Sequence, residues 1–449
     1  MSSGCPYAKL YQDDPHPDPY ALYDKMRAEH GPVVPVEIEP GVRGWLITDY
    51  STFLSWCRDT TTFGHDSRLW KDYAQGLIDD SAAVVPMMAP RPNALFSDGT
   101  EHQRYRRAIV DSFGTVSEQR LASITREVAD SLVDTFCERG QADLLNEFAR
   151  LLPLLVMSVV FGMDEQRALT FAKASRDLWT GVDAERANAE AERALSETVS
   201  EKHRNPGDDV TTQLVQHRAA LTDEEVIHQM LLMVTAANEP TANLINSTLR
   251  AALAEEGHGP DLYRTDAELG QLVDRVLWQD PPITNYPAMY PRVDIPVGGG
   301  RTIEAGTPVL LGFAAANHFF ARENADRIAE SANRAHVAWG AGPHRCPARD
   351  QAVTMTTAAV RAVLSRLSDL RLAVPQEELR WNLTGLSWVP VALPTSFTPQ
   401  SPLPRATVEG NHWSPSASPR ETSEPSRPTS GRSPLSSLSS FLGKLLRGS

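Results

Sequence analysis

The segment His336-Val337-Ala338-Trp339-Gly340-Ala341-Gly342-Pro343-His344-Arg345-Cys346-Pro347-Ala348 constrains this chain more than any other stretch. A cysteine ligates a soft metal or a haem iron only as a thiolate, and a thiolate needs donors and positive charge around it. Gly340 and Gly342 permit a tight loop whose backbone N–H groups turn toward the sulfur. Arg349 to Arg366 is rich in Ala, Thr and Val with apolar residues at helical spacing, which predicts a helix starting just after Cys346. The sulfur then sits at a helix N-terminus, where the dipole favours an anion. Trp339 offers a flat face to cover it. A free cysteine is more often a buried structural residue. Here the glycine, histidine and aromatic positions fit a ligand loop together. A site without haem is disfavoured, because only His344 lies at ligand spacing to Cys346.

A chain of 449 residues, 41% hydrophobic and 22% charged, holds one large core or two ordinary domains. The formal net charge of -14 argues against nucleic acid as a partner, since phosphate binding needs a basic face. Cys5, Cys57, Cys137 and Cys346 form no close pair, which suits a reducing cytoplasm better than a disulfide framework. Met1 to Gly4 begins no apolar run, so no signal peptide or N-terminal anchor is expected. The apolar run Leu151–Val160 is too short to span a membrane.

Pro19 to His30 reads as a short amphipathic helix, and Val33–Ile38 and Gly44–Thr48 as strands around the Glu39-Pro40-Gly41 turn. Asp49 to Asp59 reads as helix, and Trp70 to Pro92 as a long loop broken by prolines. Ser97 begins a helix on which His102 and Arg106, four apart, share a face. Ser117–Glu138 and Ala142–Met163 read as two more helices. Thr222 and Glu225 form a capping-box pattern at the start of a helix running to about Glu255, far longer than average, with Pro240 inside it. Ala267 to Asp280 is a further helix stopped by Pro281-Pro282, and Tyr286 to Gly312 alternates like a small sheet. Leu370–Val374 and Trp388–Pro394 read as late strands. The expected fold class is mainly α with small β-sheets (α+β), in a single large domain. The expected divisions are a lead-in over 1–14, the main domain over 15–399, a Ser/Pro-rich disordered linker over 400–433 and a tail over 434–449. Leu435, Leu438, Phe441, Leu442, Leu445 and Leu446 share one helical face, so 434–447 is either a frayed end or a segment docking on a membrane surface or a protein.

Trp339, Gly340, His344 and Cys346 resemble the signature of the cytochrome P-450 family of haem-thiolate monooxygenases, an aromatic-Gly-x-x-x-x-x-Cys-x-Gly pattern usually with His two residues before the Cys. Ala348 replaces the last Gly. The resemblance runs from about Pro15 to Pro399 and fits the soluble bacterial branch best. It implies haem b with Cys346 as axial iron ligand, a thiolate that favours O–O cleavage. It implies that His102, Arg106 and His344 hold haem propionates. Arg292 lies two residues beyond Tyr290, near which the family places another propionate-binding Arg. It also implies that the long helix crosses the oxygen side of the haem, with Ala237, Glu239 and Thr241 as catalytic candidates and Glu239 with water carrying protons. Pro240 stands where the family usually has a proton-delivering threonine, and Ala316 to Arg334 matches an irregular meander.

The family's Glu-x-x-Arg pair is absent, its positions holding Arg275 and Trp278. Val276-Leu277-Trp278 resembles a streptomycete, hence actinobacterial, subfamily that lacks the pair. A buried ion pair is often no more stabilising than apolar residues of similar volume. Trp278 is therefore expected to fill the space, Arg275 to face solvent or pair with Asp274, and Arg327 to lie over the Trp278 ring. The function implied is insertion of one oxygen atom from O2 into a small, largely apolar molecule. Electrons would come from a separate ferredoxin and ferredoxin reductase, ultimately NAD(P)H. A second reading, motivated by Pro240, Arg275, Trp278 and Ala348, is a haem-bound binding or signalling protein with reduced or lost oxygenase chemistry. The expected location is cytoplasmic, peripheral to the membrane if the tail docks there.

Overall fold

The computed structural model describes residues 7–11, 18–180, 184–254, 263, 265–325, 333–383 and 386–404. The fold is mainly α with small sheets. A six-stranded mixed sheet runs in the order Ala8–Lys9, Val33–Glu39, Val42–Ile47, Val309–Leu311, Ala288–Pro291, Phe63–Gly64. The Val33–Glu39 and Val42–Ile47 hairpin forms as its alternation and turn predict. Ala8–Lys9 pairs in parallel with Val33–Glu39, so part of the lead-in belongs to the folded body. Among the described residues no helix is long and apolar enough to cross a membrane.

The central element is the 32-residue helix Asp223–Ala254. Its start is the capping box read from the sequence: Glu225 N–H donates to Thr222 Oγ1 at 3.2 Å, and Thr222 N–H to Glu225 Oε2 at 2.9 Å. Helical assignment continues through Pro240, although that ring removes a hydrogen bond. The main core gathers this helix with Glu118–Val133, Leu152–Val160 and Arg349–Arg366. A smaller cluster joins Leu244 of the long helix to Leu272, Val273 and Val276 of Asp266–Gln279, and Ala338 and Trp339 pack onto it. The cysteine loop is thus fastened to the central helix through its own apolar residues.

Three expectations are corrected. Ala142–Met163 is not one helix: Gln141–Asp143 is a strand paired with Pro394–Ser396, Leu145–Ala149 is a π-helical turn, and α-helix resumes at Leu152–Val160. An apolar run reads alike as buried strand or buried helix. Asp143 Oδ1 decides the break by accepting the N–H groups of Leu145 (3.1 Å), Asn146 (3.2 Å) and Leu393 (2.9 Å). Phe313–Glu323 is a regular helix where an irregular meander was expected from Ala316. Gln400 N–H donates to Cys137 O at 2.9 Å and Leu403 N–H to Asp134 Oδ1 at 3.1 Å, so 400–404, expected as linker, is tied to the folded body. The rest of that linker and the docking tail 434–447 lie outside the described residues, as does Arg327.

Trp278 does fill a core position, at 5% exposure. Its ring stacks on Phe320 (5.8 Å, 11°), meets His336 edge-on at 5.7 Å, and donates from Nε1 to Asn333 O at 2.6 Å. Arg275 is exposed and donates to Tyr263 Oη at 2.8 Å. Asp274 pairs instead with Arg334, at 2.8 Å. Trp278→Ala should lower holoprotein stability by roughly 3–5 kcal/mol, as for a large aromatic cut from a core. Chemical denaturation measures it, and a change under about 1 kcal/mol would contradict this packing role.

Glu225 also accepts from Arg104 and from Tyr105 Oη (2.8 Å), tying the long helix to Gly99–Phe113. Burial opposes its ionisation, but Arg104, the Thr222 N–H and Tyr105 outweigh this and hold the carboxyl down at about 2. A depressed carboxylate stabilises the fold fully above its ordinary value of 4.5, and that contribution fades as pH falls toward 2. Glu225→Gln should therefore destabilise the protein at neutral pH and converge on the parent across that acid window. A gap that stayed constant across the window would contradict the linkage.

Candidate active site

The cysteine loop is shaped by backbone contacts. Gly340 N–H donates to Val337 O (2.7 Å), Arg345 N–H to Gly342 O (3.2 Å) and Cys346 N–H to Trp339 O (2.8 Å). Gly342 has φ +67°, and a Cβ there would meet Cys57 O at 2.0 Å, so only glycine fits beneath the end of Tyr50–Arg58. Ala348, in place of the family's glycine, has φ −108° and needs no left-handed backbone. Buried Asn317 braces the approach to the loop, accepting from Val337 N–H at 2.9 Å and donating to Leu277 O at 3.0 Å. Arg349–Arg366 begins just beyond the cysteine, as its composition predicts. Burial pushes the Cys346 thiol up, while the Ala348 N–H, Arg106 and Arg345 pull it down. Those are the donors and charges a bound thiolate needs.

His102 and Arg106 project from Gly99–Phe113. Arg106 is half-buried and donates to Arg345 O. His102 is buried and its ring stacks on His344 at 4.0 Å. The three residues expected from the sequence to act together are therefore brought together. The fold adds two more that sequence spacing does not connect. His65, buried at the end of Phe63–Gly64, lies on His344 at 4.0 Å. Asp98, just before Gly99–Phe113, lies 3.6 Å from His344 Nε2 and accepts the N–H groups of His65 (3.0 Å) and Asp66 (3.2 Å). Arg292 reaches the same carboxylate at 2.8 Å. Burial raises the Asp98 pKa, but His344 and these N–H groups overcome it and hold it well below the usual carboxylate range. Burial, then the neighbouring His344 and Arg106, lowers His102 to about 4.

On the long helix, Thr235 and Ala236 are exposed and Ala237 half-buried, although the residues on either side are mostly buried. This stretch of a mostly buried helix stands open. Glu239 is half-buried, and burial pushes its carboxyl up against the opposing pull of Arg150 and Asn243. Thr241 is buried. The carboxylate Oε1 of Glu239 and the Oδ1 atoms of Asn238, Asn243 and Asn246 are buried without partners among the described residues. The same holds for Trp339 Nε1, His102 Nε2 and His65 Nδ1. Such atoms are costly unless a ligand or water meets them. A cysteine sulfur among donors, a pocket of imidazole and guanidinium groups, and an open mid-helix face fit haem: soft iron ligand, propionate donors and oxygen side.

No family model matches the chain. It is 29% identical over 394 residues to cytochrome P-450 107B1 of Saccharopolyspora erythraea, covering 83% of this chain and 95% of that protein. It is 29% identical over 402 residues to nocardicin C N-oxygenase of Nocardia uniformis, covering 85% and 98%. The fold superposes on the solved structure of CYP154A1 from Streptomyces coelicolor with a TM-score of 0.70 at 27% identity, covering 86% of this chain and 99% of that one. With the fold, the cysteine loop and near whole-length similarity in agreement, the chain has the cytochrome P-450 fold, is similar to that superfamily along most of its length, and has haem as its cofactor.

Proposed function

We propose that this protein is a haem-thiolate monooxygenase that inserts one oxygen atom from O2 into a small, largely apolar molecule, with Cys346 as the residue that would ligate the haem iron. The observation that carries this is Cys346 itself, half-exposed in a glycine-built loop that is packed through Trp339 onto the long helix. The relatives support an oxygenase, and no observation favours loss of that chemistry. Haem held by the Cys346 thiolate would supply the activation of O2.

The chain's own residues do the rest. His102, Arg106 and His344 would hold the propionates through charge-assisted hydrogen bonds. Arg292 contributes its charge at the edge of this pocket, since Asp98 already engages it. Trp339 and Gly340 shape the loop. Glu239, raised by burial, is suited to give and take protons, and the open oxygens of Asn238, Asn243 and Asn246 form a polar path for water beside it. Pro240 has no hydroxyl, so proton delivery rests on Glu239 and water, with Ala237 and Thr241 lining the turn on either side. Electrons come from a separate ferredoxin and ferredoxin reductase fed by NAD(P)H.

Cys346→Ser should abolish the thiolate signature of the ferrous–CO spectrum, and an unchanged spectrum would end the ligand assignment. Glu239→Gln should leave that spectrum intact while product formed per O2 consumed, with surrogate redox partners, falls by about 100-fold. Parental coupling in that variant would remove Glu239 from the proton route.

A further inference from the structure

We infer that His65 is a third side chain that binds a haem propionate, beside His102 and His344, and that Asp98 positions it. This rests on the haem-thiolate reading and goes beyond it, because the sequence pattern that marks His102 and His344 does not reach His65.

The geometry carries it. His65 and His102 each lie 4.0 Å from the His344 ring, at interplanar angles of 33° and 30°. Two rings cannot occupy one face at that distance, so they flank His344 on opposite faces. All three are buried or nearly so, at side-chain or residue exposures of 5–9%. His65 Nδ1 and His102 Nε2, the outer members, have no hydrogen-bond partner among the described residues.

Charge balance points the same way. The groups facing this stack are Arg106 and Arg292 as cations and Asp98 as the anion. Asp98 is already bonded to Arg292 and to the N–H groups of His65 and Asp66. Three imidazoles and two guanidinium groups thus share one committed carboxylate, which leaves donors in excess and calls for further carboxylate oxygens. Haem brings two. The backbone is built for this arrangement. A Cβ on Gly64 would meet Asp98 Oδ2 at 2.4 Å and Arg292 Nη2 at 2.6 Å, so glycine next to His65 keeps the pair in place.

The test measures haem loss from holoprotein to excess apomyoglobin, for the parent, His65→Leu and His65→Gln, each loaded with haem or with haem dimethyl ester. A lost charge-assisted hydrogen bond should make His65→Leu release haem roughly 10- to 100-fold faster. His65→Gln keeps an N–H donor and should stay within about 3-fold of the parent. With the ester, which has no propionate charge, His65→Leu and the parent should differ by less than about 2-fold. Equal acceleration with both porphyrins would make His65 a structural residue and overturn the inference, as would no acceleration with haem. A parent lacking the thiolate ferrous–CO signature would overturn the haem-thiolate reading and this inference with it. A parent that shows the signature while His65→Leu behaves like it would overturn the inference alone.

Discussion

Placing one cysteine sulfur at a fixed point in a protein interior is the demand that the rest of this structure meets. A buried thiol is inert, and its pKa rises with burial, so donors must already stand around it before it can ligate iron. A flexible loop cannot hold them. The loop here is fixed from three sides. Cys57 closes over Gly342 from Tyr50–Arg58, Asn317 bridges the approach to the loop to Asp266–Gln279, and Ala338 and Trp339 pack with Leu244. Each bracket comes from a different part of the chain, so the sulfur's position is a property of the whole fold.

Behind the loop, the chain does without the family's buried Glu-x-x-Arg pair. Asp274 and Arg334 form a nearby ion pair, but the Arg334 side chain is 59% exposed, so solvent screening leaves the pair with little net stabilisation. The Trp278 ring is the larger contribution, because it is buried, stacked on Phe320 and bonded through Nε1. Exchanging a desolvated charge pair for a satisfied aromatic need not cost stability. The missing motif is therefore a different packing solution and does not in itself signal lost function.

The two flanks of the site follow opposite electrostatic logic. On the flank proposed to hold the propionates, imidazole and guanidinium donors are gathered, and His344 with backbone N–H groups draws the Asp98 carboxyl toward its charged form. Along the long helix, Glu239 is drawn toward its neutral form by burial, and three asparagine side-chain oxygens on the same helix are without hydrogen-bond partners among the described residues. The proposed anion-binding pocket and proton path would need these opposite settings, which follow from different burial and neighbours on one α-helical framework.

The sequence by itself determined the features whose signals are local. The Arg349–Arg366 helix, the capping box at Thr222 and Glu225, the first hairpin and the glycine-built cysteine loop depend on neighbouring residues, and each stands where its pattern places it. His102, Arg106 and His344 were singled out by the family resemblance, and helical spacing added only that the first two share a face. Only tertiary structure decided the rest. The apolar run after Ala142 carried no information on where strand becomes helix, since burial rather than periodicity chose its residues. His65, Asp98 and Arg292 meet because Phe63–Gly64 pairs with Ala288–Pro291 next to the start of Gly99–Phe113. Nothing in their spacing announces that meeting, because contacts between distant segments are set by how elements pack and not by the residues between them.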